Sequence, residues 1–538
     1  MKQDTFLKGA AVLGAAGMLV KILGAFFRIP LGNIIGSDGM GYYQVGYTIY
    51  NFLLAFTAAG FPTAISKLVS EKRAQGDYRG AHKVFKVSFR LLFGLGAAGM
   101  LIIAIFAGFL ANTFFSNPNA YFAVLAMSPA IFFVSILAAF RGYFQGMKDM
   151  KPTAVSQIVE QAARVTLGLS LAVIIIYVIS AEVQYAAAAA SFGAGAGAIA
   201  GTVAMVRIYM KRKRGIVRSF SEGVRIEPDS VETIIRNLLK VAVPIAIGAS
   251  VVPMINMFDT FLVVRRLQDI GFTYLEANSL YGQLQGMANT LINLPQVLTV
   301  AIAVSLVPVI SEAFTKEDHA AVKADTTSAI RVGFLMGLPA SIGLLVLAGP
   351  IMSLLYPNEP ASAGQVLFAL APAVIFLTQV QVLTGILQGL GKAHIPVRNL
   401  LIGAFFKLII TYILTGIPAI NVRGAAIGTV LAYAIAFSLN LYAVKRETRA
   451  KISFRVIAMR PILAATAMGI VVLSVHRLLL GVLGNSFSTI IAIPIGGVVY
   501  LFMLMVTRAV GKEDFELLPK GDKLFRILNR FGLMNKKR

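Results

Sequence analysis

Residues 141–165 read RGYFQGMKDMKPTAVSQIVEQAARV. Two properties of this stretch decide the fold. Its first half returns downstream as TGILQGLGKAHIP at 384–396, so that Gly142, Gln145, Gly146 and Pro152 correspond to Gly385, Gln388, Gly389 and Pro396 with one insertion. Its second half opens an apolar run, 153–179, which carries Gln157, Glu160, Gln161 and Arg164. The spacing i, i+3, i+4, i+7 sets these four on one face of a helix. At the centre of a bilayer an arginine or an acid costs about 2.5–3.5 kcal/mol. Such a face must therefore turn into a helix bundle or a water-filled cavity, and it marks a candidate transport path. A Glu–Arg pair that merely pins neighbouring helices is the plainer alternative.

Composition places this run in a membrane protein. The chain has 538 residues, of which 57% are hydrophobic and only 14% charged. Its mean hydropathy is +0.78, and soluble domains carry roughly 25% charged residues. Cysteine is absent, and the four histidines (His82, His319, His394, His476) are scattered. A disulfide framework, a thiolate metal site and a histidine-based triad are all disfavoured, and no cofactor is expected.

Apolar runs near 20 residues fall at 8–30, 40–66, 87–112, 120–143, 153–179, 185–209, 238–262, 278–310, 329–352, 364–388, 396–417, 424–444, 458–480 and 486–508. The fold class is an all-α polytopic membrane protein with about 14 transmembrane helices. With the N-terminus inside, four cations (Arg265, Arg266, Arg423, Arg477) fall outside and four (Lys21, Arg28, Arg164, Lys407) lie deep in spans. The remaining Lys and Arg, out of 49, group on the cytoplasmic side. This is the positive-inside pattern. It accounts for the net charge of +25 without nucleic acid and suits contact with anionic membrane lipids. Both termini are expected in the cytoplasm and the protein in the cell membrane as a monomer.

The two halves agree at an offset of about 244 residues: beyond the motif above, AIS at 64–66 answers VIS at 309–311, and Gln44, Thr48, Asn51 answer Asn289, Asn293, Gln296. Each half holds six spans, so the repeats are parallel, related by an axis along the membrane normal. The expected domains are 1–233 (six helices and the basic linker 211–233), 234–450 (six helices), and 451–538 (two further helices and a basic amphipathic tail, Lys523 to Phe531).

The candidate site residues are the buried cations and the polar stripes. Lys21 and Arg28 are seven residues apart on one face of the first helix, about 10 Å along its axis. Arg164 and Lys407 sit at nearly equivalent repeat positions and would make an anion site near the midplane, suited to phosphate or diphosphate. Glu160 is expected either to temper Arg164 until substrate arrives or to take a coupling ion, Na⁺ or H⁺. Amides in rows, Gln44 and Asn51 with Tyr47 on helix two, and Gln285, Asn289 and Asn293 on helix eight, suit a hydroxyl-rich or peptide-bearing cargo, or else serve as interhelical glue.

Several segments carry a family resemblance: TFLKGAAVL with GMLVKILGAFFRIPLGNIIG near the start, FPTAISKLVSE at 61–71, 141–165 as quoted, and YGQLQGMANTLINLPQVLTVAIAVSLVPVISEA at 281–313. They resemble the SpoVB/MurJ-type polysaccharide-biosynthesis flippases of the multidrug/oligosaccharidyl-lipid/polysaccharide exporter (MOP) superfamily. The resemblance implies two six-helix lobes in a V with two extra C-terminal helices, and diphosphate contacts from Lys21 and Arg28. It implies a non-enzymatic flippase whose cargo is a polyprenyl-diphosphate-linked glycan such as lipid II, driven by an ion gradient or the membrane potential. A cation-coupled multidrug exporter of the same superfamily is the alternative, and would want an acid-dominated cavity. A membrane glycosyltransferase would need paired carboxylates in a sizeable external loop, which Glu182 and Glu359 in short loops do not supply.

Overall fold

The computed structural model describes residues 2–224, 227, 229–450, 455–507 and 509, and among these there is no β-strand. The amphipathic tail expected at 523–531 lies outside the described residues. Among the described residues, twelve helical segments are long and apolar enough to cross a membrane. The first, Leu13–Ala74, has 62 residues and the last, Ile457–Val506, has 50, each more than twice the roughly 20 that span a bilayer. Each bends at one glycine: Gly36 (φ 63°, ψ −176°) and Gly484 (φ 71°, ψ 175°), a conformation open essentially to glycine alone. Each segment therefore supplies two crossings, which gives the fourteen spans expected.

The elements, in order, are α1 (Lys2–Ala74), α2 (Tyr78–Phe109), α3 (Tyr121–Gly146), α4 (Lys151–Val173), α5 (Val183–Glu222), α6 (Val231–Asp269), α7 (Tyr274–Tyr281), α8 (Asn289–Asn293), α9 (Gln296–Thr315), α10 (His319–Val346), α11 (Ala348–Leu355), α12 (Ser362–Leu370), α13 (Ala373–Gly389), α14 (His394–Thr415), α15 (Arg423–Thr448) and α16 (Arg460–Val506). The expected single span at 278–310 is instead α7, a π-helical stretch Gly282–Ala288, α8 and α9. Pro295 interrupts it, having no N–H to donate. Pro372 divides α12 from α13 in the same way.

The chain forms two compact units, 1–282 and 283–538. The division falls later than the repeat boundary at 233/234, because α6 and α7 pack with the first unit. That unit is cored by Phe61, Ile65, Phe85, Leu92, Leu137 and Phe144, and Phe85 stacks on Tyr143 at 4.5 Å. The second unit is cored by Ile310, Leu338, Leu383, Ile386 and Val472, so α16 shares the core of the second repeat. Outward-facing apolar side chains such as Ile105 (74% exposed), Leu478 (77%) and Val482 (83%) are what a chain bathed in lipid displays.

Candidate functional site

The polar stripe of α4 is held against α5 by missing side chains. Gly193, Gly197 and Gly201 of α5 back directly onto α4. A Cβ at Gly193 would come 2.7 Å from the Gly168 Cα and 2.9 Å from the Arg164 carbonyl, and one at Gly201 would come 3.1 Å from the Glu160 Cβ. With one flank pressed on these glycines, the other turns Arg164 toward the second arm of α1, where Tyr43, Tyr47 and Tyr50 recur at i, i+4, i+7.

Arg164 donates from Nη2 to the Tyr43 hydroxyl at 3.0 Å. Its guanidinium also lies 5.0 Å from the Tyr47 ring centroid and 5.5 Å from that of Tyr50. Arg28, from the first arm of α1, lies 4.9 Å from the same Tyr47 ring. Two guanidinium groups thus share one ring and stand no more than about 10 Å apart. Asn51 reaches the Tyr47 phenol. Cation–π contacts stabilise such cations by about 0.5–2 kcal/mol each, and a neutral ring does not cancel their charge.

In this structure the carboxylate of the stripe is engaged by a different cation, from α3. Glu160 accepts from Arg141 Nη2 of α3 at 2.6 Å, and Arg141 also donates from Nε to the Ser156 hydroxyl at 3.0 Å. Both side chains are largely buried, 12% and 18% exposed. Among the described residues no carboxylate comes within ion-pair distance of Arg164. Gln161 is buried, its amide beside Gly24 of α1. Gln157 and Gln44 each carry a buried side-chain oxygen with no hydrogen-bond partner among the described residues. The side chain of Lys21 lies outside the described residues.

Arg141, Tyr43 and Tyr50 escape a sequence reading for different reasons. Arg141 lies near a span end and reads as a loop cation. The tyrosines read as core, and only their helical spacing opposite the α4 stripe marks them.

In the second unit, Lys407 is buried on α14, and a Cβ at Gly428 of α15 would come 3.3 Å from its carbonyl. The helix-eight amides form a ladder along their own helix: Asn289 donates to Gln285 Oε1 at 2.8 Å, Asn293 to the Asn289 carbonyl at 2.7 Å, and Gln296 to Asn293. A shift of 243 residues carries Ser156, Glu160, Arg164 and Gly168 onto Asn399, Gly403, Lys407 and Thr411, and Arg141 onto Thr384. The deep cation persists in both repeats, whereas the Arg141–Glu160 pair belongs to the first alone.

The end of the first unit that carries α7 is tied by polar contacts. Asn278 of α7, fully buried, accepts from Asn117 at 2.6 Å and donates to the Asp38 carbonyl at 2.8 Å. Ser37 and Ser279 hydroxyls lie 2.8 Å apart.

A duplicated, all-helical membrane fold with a cation-lined stripe in its first half is matched by known proteins. A model described as polysaccharide biosynthesis protein matches residues 6–314. The chain belongs to this polysaccharide biosynthesis family. A second model, MatE, matches residues 244–413. Stage V sporulation protein B of Bacillus subtilis (strain 168) is 27% identical over 96% of this chain and 98% of its own length. Lipid II flippase MurJ of the same organism is 27% identical over 92% of this chain and 94% of its own length. Among solved structures, lipid II flippase MurJ in an inward closed conformation superposes with a TM-score of 0.68 at 17% identity, covering 92% of this chain and 98% of that one. An inward-facing multidrug resistance MATE family transporter of the MOP superfamily gives 0.64 at 13% identity, covering 80% and 94%. The relatives include proteins named as lipid II flippases, as the SpoVB/MurJ-type resemblance implied, and the fold is shared with the solved flippase and MATE transporter structures.

Proposed function

We propose that this protein is an alternating-access flippase moving a polyprenyl-diphosphate-linked cell-wall glycan precursor, lipid II or a relative, from the cytoplasmic to the outer leaflet. The observation that carries this reading is the pair Arg28 and Arg164 bracketing Tyr47, with the nearby carboxylate committed to Arg141. Two guanidinium forks on neutral rings suit a diphosphate, which offers acceptor oxygens on both phosphorus atoms and replaces weak π contacts with charge-assisted hydrogen bonds. Lys407 marks the corresponding position in the second repeat. The amide ladder at Gln285, Asn289 and Asn293 suits sugar hydroxyls and peptide amides. The lipid tail stays in the bilayer.

The positive-inside bias puts both termini in the cytoplasm. Outward movement of an anionic headgroup is favoured by an inside-negative potential, worth about 2.3 kcal/mol per charge per 100 mV. A cationic drug as cargo fits this site poorly, because such a ligand would meet two guanidinium groups around one ring.

The test is a proteoliposome assay with fluorescent lipid II, following how fast an outer-leaflet quencher reaches inner-leaflet label. Wild type should flip, and R28A and R164A should each lose most of that rate. Folded wild-type protein that leaves lipid II in place would remove it as cargo, and flipping that survives both substitutions would remove the anion site.

A further inference from the structure

The first unit contains a cavity that shares no lining residue with the α4 stripe, at the end where the basic residues gather. It encloses about 200 Å³ and is lined by Arg73, Tyr78, Tyr143, Met147, Ser219 and Phe220 among others, none of them acidic. Three parts of the chain build it: the turn from α1 to α2, the end of α3, and the extension of α5. The 40 residues of α5 make a helix about 60 Å long, twice the hydrocarbon thickness. Its last third therefore projects from the bilayer and carries Lys211, Arg212, Lys213, Arg214 and Arg218.

The interior is aromatic and the rim is basic. The Arg73 guanidinium lies 5.2 Å from the Tyr78 ring centroid. His82 sits behind the cavity among rings, 5.3 Å from Phe220 and 5.8 Å from Tyr143. The nearest acids are already engaged. Asp77 accepts from the Gly80 N–H at the start of α2 at 2.6 Å and lies 3.9 Å from Lys72, while Asp149 pairs with Arg212. Such a cavity offers one fork-shaped donor, ring faces for a short apolar segment, and a surrounding positive field.

We propose that this cavity binds the phosphodiester headgroup of an anionic lipid from the cytoplasmic leaflet. Its volume is smaller than the roughly 300 Å³ at which drug-sized pockets begin, which suits a headgroup and excludes a lipid-linked oligosaccharide. Basic pockets between transmembrane helices on this side are a recognised chemistry for such headgroups. Arg73 holds the phosphate, Tyr78 and Phe220 flank the glycerol, and the acyl chains leave toward the bilayer. Occupancy would also staple the α5 extension to the α1–α2 turn, where Val224 N–H already donates to the Gly76 carbonyl at 3.1 Å. That extension leads into the linker to α6, so the lipid would set the stiffness of the connection.

The chain contains no tryptophan, so F220W places a single indole in the cavity wall. The purified F220W protein in neutral detergent is titrated with dihexanoyl phosphatidylglycerol, dihexanoyl phosphatidylcholine and inorganic phosphate, following emission. The expected result is a saturable change with phosphatidylglycerol at concentrations at least tenfold below any with phosphatidylcholine. R73A in the F220W background should weaken it about tenfold, as loss of a charge-assisted hydrogen bond implies. Inorganic phosphate matching the lipid would support the anion site and assign it to the free ion. Equal responses to the two lipids, or an R73A titration that superposes on its parent, would overturn the proposal. Should F220W fail to fold, native mass spectrometry of wild type and R73A replaces it: the wild type should retain phosphatidylglycerol that R73A loses, and equal retention would overturn the proposal.

Discussion

Removing either partner of the Arg141–Glu160 pair should destabilise the first unit far more than removing both. The two groups meet at 2.6 Å with at most 18% of either side chain exposed. At an effective dielectric near 20 their attraction is about 6 kcal/mol, and desolvation offsets much of it. What survives in a truncation experiment is the cost of a buried charge left alone, about 3–5 kcal/mol. R141M and E160M keep the apolar bulk and remove the charge. The double variant leaves no stranded ion and should lie within about 1–2 kcal/mol of wild type, giving a coupling of at least about 4 kcal/mol. With no tryptophan or cysteine in the chain, helical circular dichroism on heating in detergent is the natural readout. For a unit of this size each kcal/mol shifts Tm by roughly 2 °C, so each single variant should melt about 6 °C or more below wild type. Additive single costs, or single variants melting with wild type, would refute the claim that the pair acts as a unit.

Four further outcomes follow from the same geometry. G197L should displace α4 from α5, since a Cβ at Gly197 would already come 3.0 Å from the Arg164 Cβ; a melting loss with abolished flipping is expected, and wild-type behaviour would show that the interface yields. R164K keeps the charge but not the fork, so flipping should fall about tenfold and stay above that of R164A, measured side by side in proteoliposomes. N278A strands the Asp38 carbonyl and the Asn117 amide, costing about 1–3 kcal/mol. Faster amide exchange across 36–41 and 274–281 than in wild type should report it. A cysteine introduced as R265C should react with an impermeant maleimide on intact cells, and K316C should react only after permeabilisation. The reverse pattern would invert the topology assigned from charge.

The helical membrane fold was legible because it rests on patterns that run along the chain. Apolar length, the cation bias and the recurrence of 141–152 at 384–396 needed no tertiary knowledge. The break at Pro295 was also visible as a residue, yet the apolar run across it continues without a gap, and hydropathy alone joined what a missing N–H divides. The site was legible in half. The face carrying Glu160 and Arg164 is set by helical period, and so is its need for a partner. Which partner each takes is decided across helices. Arg141 reaches Glu160 from α3, Arg164 turns to Tyr43, and the glycines of α5 fix the rotation that makes both contacts. The helix-eight amides, read either as facing a cargo or as interhelical glue, bond largely along their own helix in this structure, because residues four apart on a helix are each other's nearest neighbours.

The tyrosine cradle around Arg164 bears on what the empty transporter ignores. A cation held by a carboxylate must be freed before it can bind, and a cation left in water collects chloride and phosphate from the cell. Arg164 is in neither condition: a phenol oxygen and two ring faces occupy its guanidinium without neutralising it. A small hydrated anion would have to shed its water and displace those rings for a single contact. A headgroup that reaches Arg28 across the same Tyr47 ring makes two contacts for one displacement, so ambient anions should be poor competitors even at millimolar abundance.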